Sequence, residues 1–238
     1  VIFYRSDKIH NVPETWDGII NLCRNSDFGL PIKLGLTTSD IQDMMYNIIE
    51  IKEAMGISYA ETLNLDKEYI EEYKDIENYT DTIAAFKIGS AAMLMGNSSL
   101  WKKLNGDTSA VKGNIMVASL PNKNQFVRSY ALAINSNSKN QEAAIRFLDF
   151  MNGKEQQRRL SRDTSLIPII RELYDDEMIL DANPYVKGIK QSVQNSSSFA
   201  TVSINGENLK KLEEALIKFF NNEETSMNTG KIFEDLMQ

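Results

Sequence analysis

The stretch that decides the fold reads Tyr130-Ala131-Leu132-Ala133-Ile134-Asn135-Ser136-Asn137-Ser138-Lys139-Asn140-Gln141-Glu142-Ala143-Ala144-Ile145-Arg146-Phe147-Leu148. It opens as an apolar, β-compatible run and changes to helical spacing after a polar turn. Residues 129–134 are predicted as a strand. Ser138 and Gln141 form a capping box, in which hydroxyl and amide each satisfy a backbone donor at the helix start. Behind the box Ala143, Ala144, Phe147, Leu148 and Phe150 fall inward on one helical face, which must then bury itself against a sheet. Gly153 ends that helix, and a short basic helix follows over residues 156–162.

The same alternation extends in both directions. Upstream, residues 1–5 and 31–36 read as strands. A helix beginning near Pro13 carries Trp16, Ile19, Ile20 and Cys23 on one face. Ser39 and Gln42 make another capping box, opening a helix with Ile41, Met44, Met45, Ile48 and Ile49 on its core side. Residues 62–89 are charged and helical, with Ile76, Tyr79, Ile83 and Phe86 on one side and Gly89 placed to stop the helix in a left-handed turn. Residues 91–95 form a strand closed by Gly96-Asn97-Ser98-Ser99, and a short helix with Leu100, Trp101 and Leu104 follows. Residues 114–120 form a strand ending at Pro121. Downstream, Pro168, Pro184 and the polar run 195–198 punctuate the chain before two terminal helices near 207–220 and 229–237. Alternating strands and helices predict an α/β architecture.

Composition narrows the function. The 238 residues suit one large domain or two small ones, and 42% hydrophobic content supports a sizeable core. With 26 Lys+Arg against 33 Asp+Glu, the net charge of −7 argues against a nucleic-acid surface. One cysteine, Cys23, and one histidine, His10, exclude a metal site built on several His and Cys. A Ser-His-Asp triad would have to use His10, which lies in the polar turn 6–11 and has no strained nucleophile turn to serve. No apolar run reaches the roughly eighteen residues of a membrane span. No cofactor is implied. The acidic run Asp175-Asp176-Glu177 reads as a solvated loop. The opening at Val1, without Met or leader, reads as a mature or trimmed product.

Taken in order, four blocks resemble one family. They are Tyr4-Arg5-Ser6-Asp7 with Pro13-Glu14-Thr15-Trp16-Asp17, then Phe86-Lys87-Ile88-Gly89-Ser90-Ala91-Ala92-Met93-Leu94-Met95-Gly96, then Ser119-Leu120-Pro121, and finally the 130–148 stretch. The chain resembles the extracellular solute-binding proteins of bacterial ABC importers, in the branch that typically binds sugars. The resemblance implies a periplasmic-binding-protein-like α/β fold of two lobes. Residues 1–125 and 175–238 would form the second lobe, and 126–174 would be an excursion into the first. The family's long opening α/β segment has no counterpart here, so the remainder of the first lobe is expected to be absent and the cleft to lack one wall.

The resemblance also implies where a solute would bind. Asn97 and Ser98 follow the strand-ending glycine, where family members often place an aromatic ring. They suit hydrogen bonds to hydroxyls, and equally a plain polar turn. Trp101 suits a core position or a stacking one. Ser129 and Tyr130 lie where the crossing strand often faces ligand, Tyr130 fitting a hinge equally well. Thr37, Thr38 and Asp40 end a strand and begin a helix, so they suit capping as well as contact. The implied partners are a small solute, expected to be a sugar, and the permease subunits of the importer. The implied location is the extracellular face of the cell membrane or the periplasm, with a lipid anchor in the full-length precursor. Two alternatives remain: an isolated lobe that self-associates, and a glycoside hydrolase, which would need two carboxylates facing across a cleft.

Overall fold

The computed structural model describes residues 1–24, 34–36, 81–121, 126–127, 129, 131–198, 210 and 214. The expected helices after Ser39, over 207–220 and over 229–237 thus lie wholly or almost wholly outside the described residues, as does most of the one expected over 62–89. A mixed sheet organises the rest. Its strands are β1 (Ile2–Arg5), β2 (Leu34–Leu36), β3 (Met93–Met95) and β4 (Ile115–Ala118), in the order β2-β3-β1-β4. β2 and β3 are parallel, while β1 is antiparallel to both β3 and β4.

Period-two alternation gives the sheet two apolar faces. Ile2 pairs with Met95 and Tyr4 with Met93, and this face is covered by α1 (Trp16–Arg24), which contributes Trp16 and Ile19. Phe3, Leu94 and Val117 face the other way. There they meet Ile83 and Phe86 of α2 (Asp81–Lys87) and Trp101 and Leu104 of α3 (Trp101–Leu104). Each fully buried large side chain here contributes about 1.5–3 kcal/mol by leaving water. Gly89 takes φ +84° after α2, the left-handed turn anticipated for it, and an added Cβ would stand 2.7 Å from the Arg5 guanidinium.

The second half is helical. It comprises α4 (Gln141–Asn152), α5 (Lys154–Thr164), a 3-10 turn (Arg171–Asp175), α6 (Glu177–Ala182) and α7 (Tyr185–Gln194). Leu173, Ile179, Val186 and Ile189 close over the Phe3 face of the sheet. The Asp175-Asp176-Glu177 run is solvated at Asp175 and Glu177, both exposed, but it is no loop: it joins the 3-10 turn directly to α6. Asp176 is the N-cap of α6, where negative charge complements the helix dipole, and it pairs with Arg158 of α5 at 2.7 Å.

Three expectations about the 129–150 stretch are corrected. No strand forms over 131–134; among the described residues β5 (Phe126–Val127) pairs with the two-residue β6 (Ser197–Ser198), and 131–134 have no ladder partner. The capping box does not close. The Ser138 hydroxyl accepts the Asn140 N–H instead, the Gln141 amide donates to the Ser136 carbonyl, and the helix starts after Asn140. The apolar face of α4 does not point inward, for no residue of α4 is buried. Ile145, Phe147 and Phe150 are each more than half exposed, as is Leu132 before them. Among the described residues no sheet stacks on this helix; its neighbour is α5.

Candidate functional site

The parallel pair supplies the site's geometry. Leu36 stands opposite Met95, so β2 and β3 finish side by side. In open α/β sheets ligands collect beyond the carboxyl ends of such strands, because helix starts and loop amides converge there. Beyond β3 the chain leaves the core abruptly. Gly96 is buried, with its N–H on the Val1 carbonyl at 3.0 Å, whereas Asn97 is exposed and Ser98 half-exposed.

Asn97 sets the turn. Its side-chain oxygen accepts the Ser99 N–H at 3.1 Å and also the Ser99 hydroxyl. This standard side-chain cap opens the 3-10 turn Ser98–Leu100, which runs directly into α3. The result is a polar lip at the sheet's edge, rich in groups that both donate and accept hydrogen bonds.

Behind the lip lie two aromatic side chains. Trp101 is 6% exposed, and its indole N–H donates to the Ala182 carbonyl at 3.0 Å. Its ring stands 5.2 Å from that of Tyr185 at 47°. The Tyr185 hydroxyl lies 2.7 Å from the Ser165 carbonyl and 3.3 Å from the Ser98 carbonyl. Burial pushes the Tyr185 phenol well above its ordinary value, against a smaller opposite pull from Ser98 and Ser165, so it stays protonated. Asn183 completes the layer. Its amide donates to the Ser161 carbonyl at 2.8 Å, and its oxygen accepts the Ser165 hydroxyl at 2.9 Å.

The site residues expected from sequence fall into separate groups. Asn97, Ser98 and Trp101 come together in one turn, with Trp101 buried beneath it. Ser129 is exposed, in irregular chain after β5, and belongs to none of these contacts. Thr37, Thr38, Asp40 and Tyr130 lie outside the described residues. Sequence reasoning missed Tyr185, Asn183 and Ser165. A signal existed for Tyr185: it shares a helical face with Ile189, and a tyrosine on a core face must find a partner for its hydroxyl.

Two carboxylates, Asp7 and Glu172, are paired with cations. Asp7 is held below its ordinary range by its hydrogen bond with Arg5, and Glu172 by that with Lys154. A general acid for glycoside cleavage needs the opposite shift. Among the described residues no group of His, Cys, Asp and Glu is arranged to hold a metal ion, and no helix is long and apolar enough to cross a membrane.

Residues 1–187 match the family model described as bacterial extracellular solute-binding protein. No curated protein matches the chain. Among solved structures, the chain is similar to maltose-bound MalE3 of T. maritima, with TM-score 0.79 and 18% identity over 99% of this chain and 69% of that one. It is also similar to a solute-binding protein of Agrobacterium radiobacter K84 in complex with ribitol, with TM-score 0.70 and 17% identity over 100% of this chain and 67% of that one. MalX of Streptococcus pneumoniae, in complex with maltopentaose, gives TM-score 0.64 and 17% identity over 100% and 70%. These likenesses establish a periplasmic-binding-protein-like fold.

Proposed function

Because the chain belongs to the bacterial extracellular solute-binding proteins, we propose that it captures a carbohydrate between two lobes and presents it to the permease of an ABC importer. The observation that carries this is the exposed Asn97-Ser98-Ser99 lip at the shared end of β2 and β3. Hydroxyl and amide groups there match the alternating donors and acceptors of a polyol. Support for a carbohydrate comes from neighbours of the same fold solved with maltose, maltopentaose and ribitol.

In this reading Asn97 and Ser98 contact the solute directly, Trp101 backs them, and Thr37, Thr38, Asp40, Ser129 and Tyr130 complete the lining. Solute touching both lobes favours the closed form, which the permease recognises. No bond is made or broken. On the same reading residues 1–125 and 175–238 form the second lobe and 126–174 the excursion into the first; the uncovered face of α4 supports the excursion, while Leu173 at its end packs in the same core as Phe3. A lipid anchor would hold the full-length precursor at the cell surface. The same uncovered face favours a second reading, in which the lobe associates with its own copy through Phe147 and Phe150.

The test is thermal unfolding of the full-length protein, with both lobes present, in maltose, maltotriose, maltopentaose, xylotriose and ribitol, beside glutamate and trialanine. A bound solute at about a hundred times its dissociation constant adds roughly 2.7 kcal/mol. A shift with the amino acid or peptide alone overturns the carbohydrate assignment. No shift of the full-length protein with any compound overturns solute binding; the 238-residue chain, with one cleft wall missing, is expected to bind weakly or not at all.

A further inference from the structure

We infer that Tyr185 is a positioning residue for the solute-facing turn, fixing the Asn97–Ser98–Ser99 lip from behind by joining it to the end of α5. The role in solute contact rests on the function proposed above; the positioning does not.

Two bonds within the lip are local and exposed. Asn97 bonds Ser99, and the Leu100 N–H reaches the Asn97 carbonyl at 3.2 Å. Short-range bonds at an exposed turn compete with water and hold a conformation weakly. They also say nothing about where the turn sits relative to the rest of the fold. A long-range tie is made by the Ser98 carbonyl, which points back into the protein. It accepts the Trp101 N–H and lies 3.3 Å from the Tyr185 hydroxyl.

The other end of the tether is rigid. Ser165 is fully buried and takes φ +62°, a left-handed conformation that a serine keeps only when its surroundings hold it there. They do so at three points. Its N–H donates to the Ser161 carbonyl at 3.0 Å, its hydroxyl donates to Asn183, and its carbonyl receives the Tyr185 hydroxyl. One phenolic proton thus sits between a fixed carbonyl at 2.7 Å and the carbonyl of the lip at 3.3 Å. The Tyr185 ring meanwhile packs on Trp101, the first residue of the helix that the lip opens. Ring and hydroxyl together register the lip against the α5–α6–α7 layer.

Tyr185→Phe keeps the ring and removes the tether. Amide hydrogen exchange of the full 238-residue chain reads its effect position by position. The amides of Ser99, Leu100 and Trp101 are expected to exchange about tenfold faster or more in the variant, a factor that corresponds to about 1.4 kcal/mol of local opening. Those of Phe3 and Leu94 in the sheet should keep their wild-type rates. Acceleration confined to Ser165 and the end of α5, with the lip unchanged, overturns the inference, and so does uniform acceleration across the sheet. A parallel arm adds maltotriose to the full-length wild-type protein, with both lobes present. Failure of the sugar to slow the lip amides counts against the solute-binding role of the turn, whereas the variant's rates alone decide whether Tyr185 positions it.

Discussion

Phe86→Ala destabilises the chain by about 3–5 kcal/mol, while Phe147→Glu leaves its stability within about 0.5 kcal/mol. The two phenylalanines sit at equivalent places in amphipathic helices, and only their surroundings differ. Phe86 is fully buried between the sheet and the helical layer, among Phe3, Leu94 and Leu104. Removing its ring forfeits the transfer free energy and leaves a cavity that a sheet held on both faces cannot collapse to fill. Phe147 is 54% exposed on a helix with no buried residue. A glutamate there meets water. Urea unfolding of both variants measures the difference through the midpoint at constant m-value. The same Phe147→Glu variant should sediment with less self-association than the wild type if that face is adhesive. Equal destabilisation by the two substitutions would mean that α4 is covered in solution.

Asn183→Ala costs about 2–5 kcal/mol, a large effect for an uncharged polar residue. Asn183 is fully buried, and its single amide serves both the Ser161 carbonyl and the Ser165 hydroxyl. Truncation leaves both without that partner, and each orphaned buried group costs about 1–3 kcal/mol. The change also releases the left-handed Ser165 from one of its restraints. Asn195→Ala, an exposed position at the end of α7, is the matched control and should stay within about 0.5 kcal/mol. If the buried and exposed asparagines behave alike in urea, the polar layer contributes nothing to the fold.

What the sequence discloses follows from the range of the interactions involved. The strands around Phe3 and Leu94, the helix of Trp16 and Ile19, and the left-handed stop at Gly89 were all legible, because local pattern and chirality decide them. The strand expected over 129–134 was not. Its run is β-compatible, but a strand exists only where a partner pairs with it, and among the described residues none pairs with 131–134. The inward face of α4 fails for the same reason: periodicity shows which side of a helix is apolar, not whether anything covers it. The site divides likewise. The Asn97-Ser98 turn was visible in its Gly-Asn-Ser-Ser composition. The layer that holds it, Tyr185 with Asn183 and Ser165, joins positions far apart in the chain and depends on a left-handed serine that no local signal marks. Helices α6 and α7 were obscured by Pro184 and the acidic run, both of which mark helix starts as readily as loops.

The central claim is that the end of β3 meets a solute. Calorimetric titration of maltotriose into the full-length protein, with both lobes present, and into its Ser98→Ala variant measures it directly. The substitution removes one hydroxyl and keeps the carbonyl that Trp101 and Tyr185 address. The account predicts saturable binding to the wild type and an affinity lower by about 1 kcal/mol, roughly fivefold, in the variant. Saturable binding of equal strength to both chains, or no binding to the wild type, would contradict it.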